Sequence, residues 1–131
     1  MSATNDVEDL ILNWLFNDMT PPAMGTVYLA LFTADPGEAA SYANEVSGGS
    51  YARVPITFTT ASGGGSVSND TVIDTAIATA DWGNITHFAI VSEASGSGGY
   101  MIVRAALASP VEILTGQKFQ AAIGDLVASH T

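Results

Sequence analysis

Two histidines, thirteen carboxylates and three cations are the residues of this 131-residue chain that bear on acid–base or metal chemistry. His87 sits between Thr86 and Phe88 in a strand-like stretch, and His130 stands beside the C-terminus. Neither has a second ligand at metal-binding spacing, such as i+4 on a helix. His87 therefore reads as an ordinary strand residue. The carboxylates fall into two loose groups, Asp70 with Asp74 and Asp35 with Glu38 and Glu45. General acid–base work needs two carboxylates converging in one cleft, in environments that split their pKa values. The spacing of the second group does not follow a calcium-binding EF-hand loop. No serine lies in a G-x-S-x-G elbow. The Gly-rich stretches at 62–66 and 95–99 lack the lysine of a phosphate loop and open no helix, so they read as turns. The expectation is a non-enzymatic chain with no catalytic residue, no cofactor and no metal.

Net charge narrows the partners. Arg53, Arg104 and Lys118 face thirteen carboxylates, giving a formal charge of −10. Such a chain cannot displace counterions from phosphates, and it repels anionic lipid surfaces. No nucleic acid and no membrane is expected, and docking on a basic patch of a partner is. No apolar run reaches the roughly 18 residues of a membrane span, and no signal peptide is expected at the N-terminus. Charged residues make up only 12% of the chain, against roughly 25% in ordinary domains. A surface so thin in charge suits a protein packed against neighbours. Cysteine is absent, which removes disulfides and thiolate sites.

Arg53 and Arg104 stand within strand patterns, and each is expected to pair with a carboxylate in a surface ion pair worth about 0–1 kcal/mol. Trp14, Trp82, Tyr28, Tyr51 and Phe88 read as core or subunit interface. Trp14, Phe16, Tyr42 and Tyr51 are the expected interface anchors, because aromatic residues dominate binding hot spots; Arg53 and Arg104 complete the candidate set.

The elements that carry these residues follow from periodicity. Val7, Leu10, Ile11, Trp14 and Leu15 recur at i, i+3, i+4, i+7 and i+8, predicting an amphipathic helix over about 5–19. Asn5 is the expected cap, with Glu8 as its capping-box partner, and Pro21 and Pro22 end the element. A strand over 25–33 is apolar on both faces, so a helix or a neighbouring subunit is expected over its second face. Residues 37–50 form a long polar loop. Alternation of Val54, Ile56 and Phe58 marks a half-buried strand over 51–60, and Pro55 places it at an edge or bulge. Shorter strands are expected around 66–70, 71–76, 85–93, 100–107, 110–114 and 118–127, the last with Phe119, Ala121 and Ile123 on one face. The fold class is mainly β: an antiparallel β-sandwich or jelly-roll-like barrel of about seven to eight strands over about 25–128, with one N-terminal α-helix, as a single domain over 1–131.

Four ordered runs carry a resemblance: Leu12-Asn13-Trp14-Leu15-Phe16; the segment from Val27 through Phe32 to Asp35-Pro36-Gly37; the segment from Asn44-Glu45 through Tyr51-Ala52-Arg53; and the segment from Ala78 through Asp81-Trp82-Gly83 to His87-Phe88. Together they resemble a family of small tailed-bacteriophage proteins commonly labelled "phage tail fibre protein". The resemblance spans about residues 10–125 and implies a structural role in the virion, assembled in the bacterial cytoplasm. It brings no catalytic residues. A compact domain without a repeat is unlike an extended shaft. The expected role is therefore capsid decoration, cementing the outer shell by contact with the major capsid protein, as a homotrimer. The alternative is a tail-fibre-type or tail-associated host-binding module.

Overall fold

The computed structural model describes residues 2–59 and 65–129. Their elements run β1 (Ser2–Ala3), α1 (Asn5–Asn17), β2 (Val27–Phe32), β3 (Val54–Ile56), β4 (Ser66–Ser68), β5 (Ile73–Asp74), β6 (Gly83–Val91), β7 (Met101–Ile113), β8 (Gln120–Ala121) and β9 (Val127–Ser129). Most of the expected 62–66 turn, and His130, lie outside the described residues. One five-stranded antiparallel sheet has the order β1-β7-β6-β2-β3, and the pairs β4-β9 and β5-β8 form two smaller ribbons. The fold is mainly β with a single N-terminal helix, in agreement with the sandwich class read from the strand pattern.

Alternation along β2 explains the layering, since successive side chains point to opposite faces. Leu29 and Leu31 face the main core with Ile56, Phe88, Ile90, Ile73 and Trp82. Ala30 and Phe32 face a second, smaller cluster with Ala89, Val91 and Met101. The double-sided apolar reading of this strand is correct, and the chain's own loop covers part of the second face. Ala40 and Tyr42, from the loop over 37–50, pack there. That loop is tied down: Thr33 N–H donates to Asn44 O at 3.0 Å, Val46 N–H to Leu31 O at 3.0 Å, and Val46 is buried.

Pro55 pairs opposite Tyr28 in β3, the last strand of the sheet, as a residue without an N–H requires. The expected strands over 100–107 and 110–114 are one strand, β7. Its partner β6 stays in register on both sides of a large bulge: Ile85 faces Val111 and His87 faces Ala106, so residues 107–110 lie opposite Thr86 alone. The bulge absorbs Pro110, which has no N–H to give to the ladder. The expected strand over 118–127 is two short strands, β8 and β9, separated by a turn in which Ile123 is exposed rather than facing the core with Phe119 and Ala121.

Candidate assembly surface

The helix is fastened at one end only. Ser2 and Ala3 pair with Arg104 and Val103 of β7. Thr4, fully buried, is the N-cap residue in place of the expected Asn5, but its side chain does not cap. Its hydroxyl donates to Met101 O and its N–H to Ile102 O, at a second bulge where Ile102 has no partner on β6. Asn5 N–H, a donor with no partner inside the helix, goes to Glu38 O at 3.1 Å. Asp6 and Glu8 in the first turn complement the helix dipole. At the other end Asp18 adopts the left-handed conformation, φ 56°, and closes the helix two residues before the expected end.

Burial follows the fastening. Val7, near the anchored end, is buried. Past it the helix runs beyond the sheet, and Trp14 is 54%, Leu15 59% and Phe16 77% exposed, with Leu12 and Met19 also more than half exposed. Trp14 belongs to the stripe that starts at Val7. Leu12 and Phe16 lie i+4 apart on the opposite side, with Leu15 beside them. The distal half of α1 thus carries apolar side chains on opposite sides, with the Asn13–Asn17 face the polar one. Glu8 and Asp9, one turn before Leu12, share its outward side.

Tyr42, Tyr51 and Arg53 come together elsewhere, inside the chain. The Arg53 guanidinium sits 5.1 Å from the centroid of the Tyr42 ring, and Tyr42 tilts against Phe32. Arg53 Nε donates to Glu45 Oε2 and Nη2 to Glu45 Oε1, both at 2.7 Å, while Nη1 and Nη2 also reach Glu93 O and Gly96 O. The Arg53 and Glu45 side chains are only 4% and 13% exposed, so this is a buried pair and not the expected surface one. The charge-assisted hydrogen bonds to Glu45 hold the guanidinium above its ordinary pKa. Tyr51 packs edge-on against Trp82 at 5.5 Å. Burial pushes its hydroxyl well above the usual range. These three side chains lock the 37–50 loop to the sheet, with Arg53 buried and Tyr42 and Tyr51 half-buried. Arg104 pairs with Asp35 at 3.1 Å, a contact exposed on the Asp35 side and half-buried on the Arg104 side. Of the sequence candidates, Trp14 and Phe16 are the ones left open to solvent. The helix pattern puts Leu15 on the Val7 stripe and passes over Leu12 and Met19 as companions of Trp14 and Phe16; the signal for Leu12 was its place outside that stripe.

The carboxylate groups do not converge. Asp35 goes to Arg104, Glu45 to Arg53, Asp74 to Lys118, and Asp70 accepts from the Thr57 hydroxyl. A cleft of about 390 Å³ is lined by the β7 bulge and by residues of and around β8. Its walls include Phe88, Leu107, Phe119 and Leu126, and Asp125 is its one carboxylate. Asp125 Oδ2 already accepts from Ala122 N–H at 3.0 Å. His87 Nδ1 lies 2.8 Å from the Thr86 hydroxyl. Among the described residues no three His, Asp or Glu side chains are grouped to hold a metal ion, and no helix is long and apolar enough to cross a membrane.

No curated protein matches the chain. A protein-family model described as "Podophage GP4 fiber I protein gp80" matches residues 2–129. That match covers nearly the whole sequence, including the helix, every strand of the sheet and all four runs that carry the resemblance to phage tail fibre proteins. The chain belongs to the podophage fiber I protein gp80 family, a family of phage fibre proteins and so of virion components.

Proposed function

We propose that the chain is a non-enzymatic, fibre-type structural component of a tailed-phage particle, attached to another virion protein through the distal half of α1. The family description supports a fibre role over the shell-decoration role expected from compactness. One observation carries the attachment reading: Leu12, Leu15, Phe16 and Trp14 are apolar on opposite sides of one helix and lie bare on both. Trp and Phe side chains each cover about 150–250 Å² when buried. The bare surface therefore reaches a few hundred Å², the size at which an exposed patch marks an interaction site. The β domain, with its buried Arg53 lock, supplies the rigid body that the helix holds in place.

Replacing Phe16 and Leu15 with serine tests the reading. The variant should fold with unchanged stability and yet be missing from purified particles. Antibody labelling of intact particles should give signal at the tail. Full incorporation of the variant, or signal spread over the shell, contradicts the proposal.

A further inference from the structure

The distribution of charge says what kind of surface receives the helix. Among the described residues every lysine and arginine is already engaged: Arg53 with Glu45, Arg104 with Asp35 and Lys118 with Asp74. The outward side of α1 offers Glu8 and Asp9 beside Leu12, Leu15 and Phe16, and Asp18 closes the helix just past them. No basic residue occupies the last turn. An apolar centre with a charged rim is the usual anatomy of a protein interface, and here the rim has one sign.

A second copy of the chain is a poor occupant. It would bring carboxylates against carboxylates, each copy carrying a formal charge of −10. Freeing Arg104 or Lys118 to answer them would only strip Asp35 or Asp74 of its partner. Anionic lipid and nucleic acid fail for the same reason of sign. Resting on the attachment reading above, we infer that α1 docks in an apolar groove of a different virion protein, rimmed by lysine or arginine side chains that face Glu8, Asp9 and Asp18. This is helix-in-groove recognition, with the apolar residues supplying grip and the acids choosing the partner and speeding encounter.

The test uses phage particles carrying the full chain, washed at rising NaCl, with copies per particle counted. Wild-type protein should be retained near 0.1 M salt and shed progressively towards about 1 M as the rim charges are screened. The double variant Glu8→Gln/Asp9→Asn should be retained about tenfold less at low salt and show a flatter salt dependence. Glu112→Gln, an exposed carboxylate on β7, should behave as wild type. Thermal melts monitored by circular dichroism establish that all variants fold. Retention of the double variant equal to wild type at every salt overturns the basic rim while leaving the helix as the attachment element. Retention of Phe16→Ser equal to wild type removes the attachment reading itself, and the inference with it. Sedimentation of the isolated chain gives an independent arm. Wild type and Phe16→Ser should have the same mass; a larger mass for wild type means that a second copy covers the helix, and overturns the inference.

Discussion

Arg53 and Glu45 face each other across two parallel hydrogen bonds of 2.7 Å. One residue precedes β3 and the other lies in the long loop, so the pair holds together two segments that no shared strand ladder spans. Removing one partner leaves a buried charge uncompensated, which typically costs about 3–5 kcal/mol. Arg53→Met should lose stability of that order in denaturant unfolding. Arg53→Lys should recover little, because an ammonium cannot reproduce the fork that also reaches Glu93 O and Gly96 O.

Tyr51 completes the same lock from the other side. Its hydroxyl donates to Glu45 Oε2 at 2.8 Å and accepts from Leu31 N–H at 3.0 Å. Leu31 lies past the end of the β2–β3 ladder, where Val46 N–H takes its carbonyl but no backbone acceptor takes its N–H, so the phenol stands in for one. Tyr51→Phe keeps the ring against Trp82 and leaves that N–H without a partner. Equilibrium unfolding should register a loss of about 1–3 kcal/mol.

Gly48 and Gly49 both have positive φ, 76° and 59°, but their surroundings differ. A methyl group on Gly48 would meet nothing within 4 Å, whereas on Gly49 it would come within 2.9 Å of Ala80 O and 3.0 Å of Trp82 Nε1. Gly48→Ala should therefore cost only the backbone term of about 1–2 kcal/mol. Gly49→Ala should cost clearly more and disturb the near-ultraviolet circular dichroism of Trp82, whose Nε1–H donates to Gly49 O at 2.9 Å.

Acid should loosen the turn after β7. The Thr115 N–H, followed by the Thr115 hydroxyl, holds the Asp81 carboxyl below its ordinary pKa of 3.8. A carboxylate depressed in the folded state contributes stability above its unfolded pKa, and that contribution disappears as pH falls through the folded value. Melting temperature measured from pH 6 down to about 2 should thus fall less steeply for Asp81→Asn than for wild type. Identical slopes would show that this contact contributes nothing.

Much of the architecture was legible because it rests on local periodicity. The helix, the two-faced β2 and the edge placement of β3 follow from Val7 and its companions, from Leu29 to Phe32, and from Pro55. What periodicity could not show were contacts made across the chain. Thr4 takes the N-cap position in place of Asn5, yet its side chain does not cap, because bulged carbonyls at Met101 and Ile102, about a hundred residues away, claim its polar groups. The 37–50 loop reads as loose because it is rich in small and polar residues, yet Arg53, Glu45 and Tyr51 give it a buried anchor. Tyr42 and Tyr51 looked like partner anchors for the same reason: aromatic residues in a polar stretch signal contact, but not with what. Of the attachment surface, Trp14 and Phe16 were visible from residue type alone. Its full extent needed the knowledge that the helix overhangs the sheet.

The borders of the five-stranded sheet limit how copies can add to one another. On one side lies a three-residue strand with a proline at its centre, and on the other a two-residue strand that covers only Val103 and Arg104 of β7, whose remaining edge is broken by the bulge over 107–110 that contains Pro110. Neither offers the long, flat row of free amides and carbonyls on which another chain can template itself. Continuing the hydrogen-bond ladder of this sheet from copy to copy is therefore disfavoured. Copies are then left to meet through side-chain contacts, which guards the folded chain against runaway edge-to-edge stacking.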